Sequence, residues 1–367
     1  MELINISDFN NFLNIKEKWN KLLSESTSDT LFLRHEWLCN WWSSYNNKSE
    51  LLVLLLKNDG RLIGAAPLML SKGKMRGLPV KKIEFIGNST WTTNDFIITE
   101  QRERVLEEIL NYLFNMKWDM ANLQGIPEES ENLGIFKAIL KAKDINYLSD
   151  IASSSPCVTT DMPWEEFYNS RSVRFKKATR NKLNKINKSG DVVIKKYSTP
   201  QEIKHALPII FEIGLKGWKH QIKNAISSTE ENRAFYTELS EIMSDLGLLN
   251  IWLLRLNGAP IAFEYHIRYK NTDHGLIADY NEDYRDLSPG SILDFNIMQH
   301  IFQNEKCEYD LGSGNSFYKM NWTEKAKKYQ NIYFYKDSFY GNFLTFLEKR
   351  IAPVLKLLRN KVKQASI

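Results

Sequence analysis

Two pairs of side chains in the second half of this 367-residue sequence have the types that move protons. Glu264 and His266 alternate with Phe263 and Tyr265 along an apolar run, so in a strand they share one face. The ordinary imidazole pKa suits proton transfer near neutrality, and either group could be a base if that face lines a cleft between domains. The plainer alternative is a histidine that serves the structure of its strand. Asp279 and Tyr280 close the next strand, where Asp279 could take a proton and Tyr280 return one. They could equally be an aspartate held by backbone amides in a turn and a tyrosine of the core. Directly downstream, Arg285-Asp-Leu287-Ser288-Pro-Gly290-Ser291 opens into a helix at Ile292. Small residues let a backbone approach its ligand, and the exposed N–H groups and helix dipole of such a turn hold a pyrophosphate. The bland reading is that Ser288-Pro289 caps the helix. Asp310 ends a further strand, and a Gly-Ser-Gly turn leads from it to Tyr318 and Lys319. A lysine there suits an oxyanion or a phosphate.

A second feature is charge density. From Arg171 to Lys188 the chain carries Arg171, Arg174, Lys176, Lys177, Arg180, Lys182, Lys185 and Lys188 with no acid. Arg174, Lys177 and Arg180 could grip an acidic ligand: a nucleotide-sugar diphosphate, an anionic glycan, the 3′-phosphate of coenzyme A, or tRNA. A solvated surface is the alternative. Trp218 and Lys219 could add a stacking surface for a sugar. Overall charge argues little, because 49 basic against 44 acidic residues leave only +5, too weak a field to imply DNA. Cys39, Cys157 and Cys307 are widely separated and have no CxxC or His-x3-His companion. They read as buried thiols of a reducing compartment, and no metal site is expected. A nucleophile elbow of the form Gly-x-Ser-x-Gly is missing as well.

The elements that must position these residues are those of an α/β (mixed α+β) chain with two domains. Leu51–Lys57 and Leu62–Leu70 flank Asn58-Asp59-Gly60, and 249–256 and 260–269 flank Asn257-Gly258. Both are strong hairpin signals. The two hairpins align at one offset, Gly60 on Gly258, Ile63 on Ile261 and Gly64 on Ala262. Each is followed by strand, helix and strand, so the halves read as copies of one domain. A strand is expected at Asp95–Thr99, and helices at 101–115, 133–143, 164–188, 200–218 and 230–246. Trp37, Trp41 and Trp42 belong to a helix at 36–45 and read as core. The small-residue stretch Ile151–Cys157 reads as the linker, giving domains 1–155 and 156–338. After them, residues 339–367 form a basic amphipathic helix. In it Phe343, Leu347, Ile351, Leu355, Leu358 and Val362 recur between Lys349, Arg350, Lys356, Arg359, Lys361 and Lys363, suited to packing on the domain or to peripheral membrane contact. No secretory signal or apolar run of membrane length is visible, so the expected location is cytoplasmic, with the inner membrane face as the alternative.

The loop resembles that of the GNAT superfamily, whose diphosphate turn has the form Gln/Arg-x-x-Gly-x-Gly/Ala; Arg285-x-x-Ser288-x-Gly290 keeps two of its three fixed positions. The corresponding stretch of the first repeat, 95–102, has no such loop, which leaves that half an acceptor or interface role. A broader resemblance spans nearly the whole chain. It rests on His35-Glu-Trp37 with Trp41-Trp42, Ala66-Pro67-Leu68, Phe85-Ile-Gly87, Phe235-Tyr236, Asn257-Gly-Ala-Pro-Ile-Ala262, Ser288-Pro-Gly290, Asp310-Leu-Gly-Ser-Gly314 and Tyr318-Lys319. These pieces are similar to the cellulose-biosynthesis acetyltransferase-like (CelD/BcsL-type) branch, related to the Fem-type aminoacyl transferases. The resemblance implies two tandem GNAT-like domains, each a twisted mixed sheet flanked by helices, and direct acyl transfer from acetyl-CoA or another acyl-CoA. Arg285, Leu287, Ser288, Gly290 and Ser291 would hold this donor, and Asp279, Tyr280, Glu264, His266 and Lys319 would supply the chemistry. Arg174, Lys177, Arg180, Trp218, Asp310 and Tyr318 would meet the acceptor, expected to be a sugar-containing precursor of a cell-surface glycan. The alternatives are an aminoacyl-tRNA donor, as in the Fem-type relatives, and a non-catalytic glycan- or partner-binding pseudo-enzyme.

Overall fold

The computed structural model describes residues 1–46, 48–88, 93–314 and 316–351. In chain order the first half comprises β1 (Glu2–Ile6), α1 (Phe9–Leu13), α2 (Lys16–Glu25), α3 (His35–Tyr45), β2 (Glu50–Asn58), β3 (Arg61–Met75), β4 (Leu78–Phe85), β5 (Ile97–Ile98), α4 (Arg102–Phe114), β6 (Met120–Pro127), α5 (Glu131–Ala142) and β7 (Tyr147–Thr159). There follow α6 (Trp164–Asn169), α7 (Val173–Ser189), β8 (Val192–Tyr197), α8 (Pro200–Lys216), α9 (Trp218–Gln221), α10 (Glu230–Asp245), β9 (Leu249–Leu256), β10 (Ala259–Tyr269), β11 (Thr272–Tyr280), α11 (Pro289–Asn304), β12 (Glu308–Asp310), α12 (Phe317–Met320), β13 (Ala326–Tyr335) and α13 (Phe339–Phe346). The chain is a mixed α/β protein that divides into two compact units. Residues 1–39, 46–152 and 329–367 make the first, and residues 40–45 and 153–328 the second.

The two units repeat one topology. In the first, β1, β2, β3 and β4 pair antiparallel in that order, β4 pairs parallel with β6, and β13 completes the sheet antiparallel to β6. In the second, β8, β9, β10 and β11 pair antiparallel, β11 pairs parallel with β12, and β7 lies antiparallel to β12. The second expected domain, 156–338, thus gives its last strand to the first sheet. Both hairpins turn as their sequences require: Asp59 and Gly60, and Asn257 and Gly258, all take positive φ, which only such residues enter cheaply. The core of the first unit lies under α4 and α5, around Phe85, Phe96, Phe136, Ile332 and Phe334. That of the second lies under α6, α7 and α11, around Trp164, Ile261, Leu293, Met298 and Trp322. Trp37, Trp41 and Trp42 are buried, as their helix implied, and so are the three cysteine thiols.

Several sequence expectations are corrected. The stretch Ile151–Cys157 does carry the boundary between the units, at 152/153, but as part of the strand β7 and not as a loop. Its small residues suit a strand that passes close to its neighbours, and Pro156, Cys157 and Val158 are buried there. The basic helix does not run unbroken from 164, because Ser172 ends the gap after α6 and caps α7 by accepting from the Phe175 N–H. Only Ile97 and Ile98 of the 95–99 stretch pair as a strand, against Gly64 and Ala65. The helix at 200–218 stops at Lys216, where Gly217 turns extended before α9. Of the expected C-terminal helix, 339–346 is helical and 347–351 forms a π turn; residues 352–367 lie outside the described residues.

Candidate active site

The chemistry-bearing residues of the second unit gather where β11 outruns its neighbour. β11 and β12 pair only through Thr272↔Glu308, Asp273↔Tyr309 and His274↔Asp310. β11 then continues six residues to Tyr280, leaving one edge without a parallel partner. Two glycines set the point of divergence: a Cβ on Gly312 would stand 2.8 Å from the Gly275 carbonyl oxygen, so the chains can approach this closely only without side chains.

Asp279 sits at the end of that free edge. Its Oδ1 accepts from the Tyr280 N–H (2.9 Å), while its buried Oδ2 has no hydrogen-bond partner among the described residues. Gly217 makes room for the carboxyl, since a Cβ there would come within 2.4 Å of Oδ1. Lys219 follows on α9 and donates to the Ala278 carbonyl. Burial pushes the Asp279 carboxyl up to about 6, against the pull of the Lys219 ammonium. The same burial lowers Lys219. Consecutive strand residues point to opposite faces, so Tyr280 lies on the other side of β11, with its ring 3.5 Å from where a Gly290 Cβ would be. The expected acid and base therefore flank the strand instead of sharing a face. The Tyr280 phenol is raised, first by burial and then by Glu282.

Beyond Tyr280 a short 3-10 turn, 282–287, carries Arg285 and Leu287 to Ser288, the N-cap of α11. Ser288 has φ 54°, so it adopts the left-handed conformation that glycine favours and makes the tight turn despite its side chain. Pro289 follows at the first helical position, and the N–H groups of Gly290 and Ser291 stand in the first turn, where a helix offers its donors no internal partner. Two lysines of the basic helix reach this turn: Lys182 Nζ donates to Ser291 Oγ (2.9 Å) and Lys185 Nζ to the Asp286 carbonyl (2.8 Å). The positive charge and the loop are therefore one feature. Sequence reasoning singled out Arg174, Lys177 and Arg180 instead, which are exposed on α7. Helical spacing alone would have found Lys182 and Lys185, which lie three apart on the side that also carries the buried Ile186.

On the α11 side of the sheet Glu264 and His266 form a buried charge network with Asp273. His266 is fully buried, with Nε2 3.1 Å from Glu264 Oε2 and Nδ1 3.1 Å from Asp273 Oδ2. Burial works to lower its pKa, but the two carboxylates outweigh it and carry His266 to about 10. With both ring nitrogens taken by carboxylates, it ties β10 to β11 in place of the free base that the sequence alone offered. Glu264 also accepts from the Tyr309 hydroxyl (3.3 Å), so its carboxylate is committed. Asp294, which no sequence pattern marked, accepts from Trp322 Nε1 and is raised by burial and by the nearby Glu264 charge. Lys319 donates to the carbonyls of Gly312 and Ser313, both at 2.9 Å. Burial lowers it to about 8 against the influence of Asp310. Asp310 itself is bound by Ser155, the Gly312 N–H and His274, which hold it down at about 2 despite burial. That makes it an anchor of the Gly312 turn, not a ligand for an acceptor. Tyr318 and Trp218 are about half exposed, and Trp218 adjoins Lys219 next to the Asp279 carboxyl.

Residues 173–320, which span this site, match the acetyltransferase (GNAT) domain family. Among solved structures the fold is similar to a conserved protein of unknown function from Bacteroides thetaiotaomicron (TM-score 0.55, 14% identity, 91% of this chain and 100% of that one). It is also similar to FemX (0.56, 11%, 90% and 97%) and to L-PGS from Bacillus licheniformis (0.54, 12%, 90% and 95%). No curated protein sequence matches the chain. At such identities the structural likeness speaks for the fold, whereas the domain match over 173–320 supports an acyltransferase.

Proposed function

We propose that the second unit transfers an acyl group from an acyl-CoA to an amine or hydroxyl of a sugar-containing acceptor, with Asp279 as the general base. The observation that carries this is the Asp279 carboxyl: buried, with one oxygen unpartnered, and poised at about 6 at the free edge of β11. At neutral pH it is ionised and still close enough in pKa to accept a proton efficiently. The donor's phosphates fit the turn Ser288–Ser291, where the first N–H groups of α11 and the Lys182 and Lys185 ammoniums converge.

In this reading the acceptor's N–H or O–H gives its proton to Asp279 Oδ2 as its lone pair attacks the thioester carbonyl. The resulting oxyanion is stabilised by an ammonium at the divergence of β11 and β12, the place of Lys319. Collapse expels the thiolate, which Tyr280 protonates from the donor side of the strand. Trp218 supports a sugar acceptor, since an exposed indole beside the base offers a face on which a sugar ring stacks.

Thermal unfolding of the protein with acetyl-CoA, longer acyl-CoAs and nucleotide sugars tests the proposal, because a ligand that binds only the folded state raises its stability. Saturable stabilisation by an acyl-CoA is expected. Gly290→Ala should weaken it about tenfold without destabilising the chain, because the added methyl meets only the Tyr280 ring, at 3.5 Å, and alanine is the better helix former. If no acyl-CoA stabilises the protein, the donor assignment fails. A second reading, an aminoacyl-tRNA donor, is favoured by the exposed Arg174, Lys177 and Arg180 on α7. It predicts charged-tRNA binding that weakens steeply with salt.

A further inference from the structure

A patch far from this site in sequence is not used by the acyl-transfer reading. Among the described residues, helix α13 is fastened to the first unit chiefly along one side. Ser338 caps it by accepting from the Gly341 N–H (3.0 Å), the Tyr340 hydroxyl donates to the Pro79 carbonyl (2.7 Å), and Leu344 is buried with Val80, Met120 and Tyr335. The other side carries Phe339, Phe343 and Phe346, exposed by 94%, 42% and 55%. Their spacing, i, i+4 and i+7, puts them in one stripe. Three exposed phenylalanines on an eight-residue helix are not scattered surface residues; they are a contiguous apolar face.

Charge says what covers it. From Phe339 to the last residue the sequence has six basic side chains, Lys349, Arg350, Lys356, Arg359, Lys361 and Lys363, and one acid, Glu348. That acid is already neutralised by Arg76, at 2.8 and 3.1 Å. Lys349 and Arg350 are exposed in the turn that directly follows the helix. A second copy of this chain would set this basic stretch against itself, whereas an anionic lipid surface complements both the aromatic stripe and the charge. Among the described residues no helix is long and apolar enough to cross a membrane.

We propose that α13 and the turn after it, 347–351, form a peripheral docking surface for an anionic bilayer, with Phe339, Phe343 and Phe346 inserted at the headgroup level. Aromatic rings favour that depth, and the flanking lysines and arginines hold the helix against the charged surface. The inference does not depend on the acyl-transfer reading, since it concerns the first unit and needs no donor.

The test is co-sedimentation of the full chain with phosphatidylcholine vesicles, with and without about a third phosphatidylglycerol, at low and high salt. Binding to the anionic vesicles, weakened by salt, is expected. The triple variant Phe339→Ser/Phe343→Ser/Phe346→Ser should bind about tenfold more weakly or worse; it should still unfold cooperatively, at a lowered melting temperature, because Phe343 and Phe346 are about half covered. A second variant, Lys349→Gln/Arg350→Gln, should lose part of the binding and part of its salt dependence. The proposal is overturned if anionic vesicles retain no protein or retain the triple variant as well as the parent. It is also overturned if the phenylalanine changes convert a dimer to a monomer without affecting vesicle binding, which would assign the face to self-association.

Discussion

Replacing Asp279 by asparagine should make the protein more stable and less active, and the structure gives the size of both effects. The carboxyl is raised from 3.8 to about 6. At 1.36 kcal/mol per pH unit that difference is about 3 kcal/mol. The sign follows from proton counting: the folded state keeps this proton up to pH about 6, while the unfolded chain releases it near 3.8. Between those values the folded state binds more protons, so stability falls as pH rises. Above pH 6 the ionised carboxylate costs the fold the full amount. Asparagine keeps the Oδ1 acceptor for the Tyr280 N–H and has no charge to desolvate. Asp279→Asn should therefore gain up to about 3 kcal/mol at pH 8 and nothing at pH 4, flattening the pH dependence between the two. Denaturant unfolding at a series of pH values measures this directly. Activity should move the other way: loss of a general base costs about 10²- to 10⁴-fold, and the acidic limb of the parent's pH–rate profile, expected near 6, should vanish. A variant no more stable than its parent at pH 8 would refute the buried, uncompensated carboxylate. One that keeps its rate and the limb at 6 would refute the base.

Two further substitutions probe the surroundings. His266→Ala removes the cation between Glu264 and Asp273 and leaves two buried carboxylates unbalanced, a loss of about 3–5 kcal/mol readable by thermal unfolding. In the parent, the stability that His266 contributes is fully present below the ordinary imidazole value of 6.5 and is lost as pH rises through about 10, so the deficit of the variant should shrink in alkali. Gly217→Ala places a methyl 2.4 Å from Asp279 Oδ1; it should displace the carboxyl and cut kcat at least as much as Asp279→Asn. Unlike Asp279→Asn it should lower stability, a contrast seen by comparing the two melting temperatures at pH 8.

The parts of this picture that were legible in the sequence are those written in local patterns. Asn257-Gly258 and Asp59-Gly60 announced their hairpins because few other residues enter positive φ cheaply. The strand-to-loop-to-helix order at 280–292 announced the turn before α11. What stayed hidden depended on partners distant in the chain. Glu264 and His266 look like a proton-transfer pair until Asp273, across a strand pairing, is seen to take the second ring nitrogen. Asp310 looks available until Ser155, some 150 residues earlier, is found bonded to it. Gly217 carries no signal at all, since its reason is a carboxyl 62 residues downstream. Ile151–Cys157 marked the boundary between the units but not its conformation, because small residues mark loops and close strand approaches alike.

The repeat itself separates residues kept for the fold from residues kept for chemistry. Gly64 pairs with Ile98 in the first unit as Ala262 pairs with Tyr280 in the second, and Ala65 with Ile97 as Phe263 with Asp279. The helices that follow, α4 and α11, are both entered through a left-handed residue, Gln101 at φ 49° and Ser288 at φ 54°. Backbone and register are therefore conserved between the copies, yet the positions of Glu264, His266, Asp279 and Tyr280 are held in the first by Ala66, Leu68, Ile97 and Ile98. All four of those are buried apolar side chains. The topology is thus satisfied by an ordinary hydrophobic core, and nothing in it requires a charge at these points. Burying the carboxylates and the imidazolium in the second copy costs stability, about 3 kcal/mol at Asp279 alone by the reasoning above. A cost that the sister unit shows to be avoidable is explained by what those groups do, and of these four positions Asp279 is the one whose buried oxygen is left without a partner among the described residues.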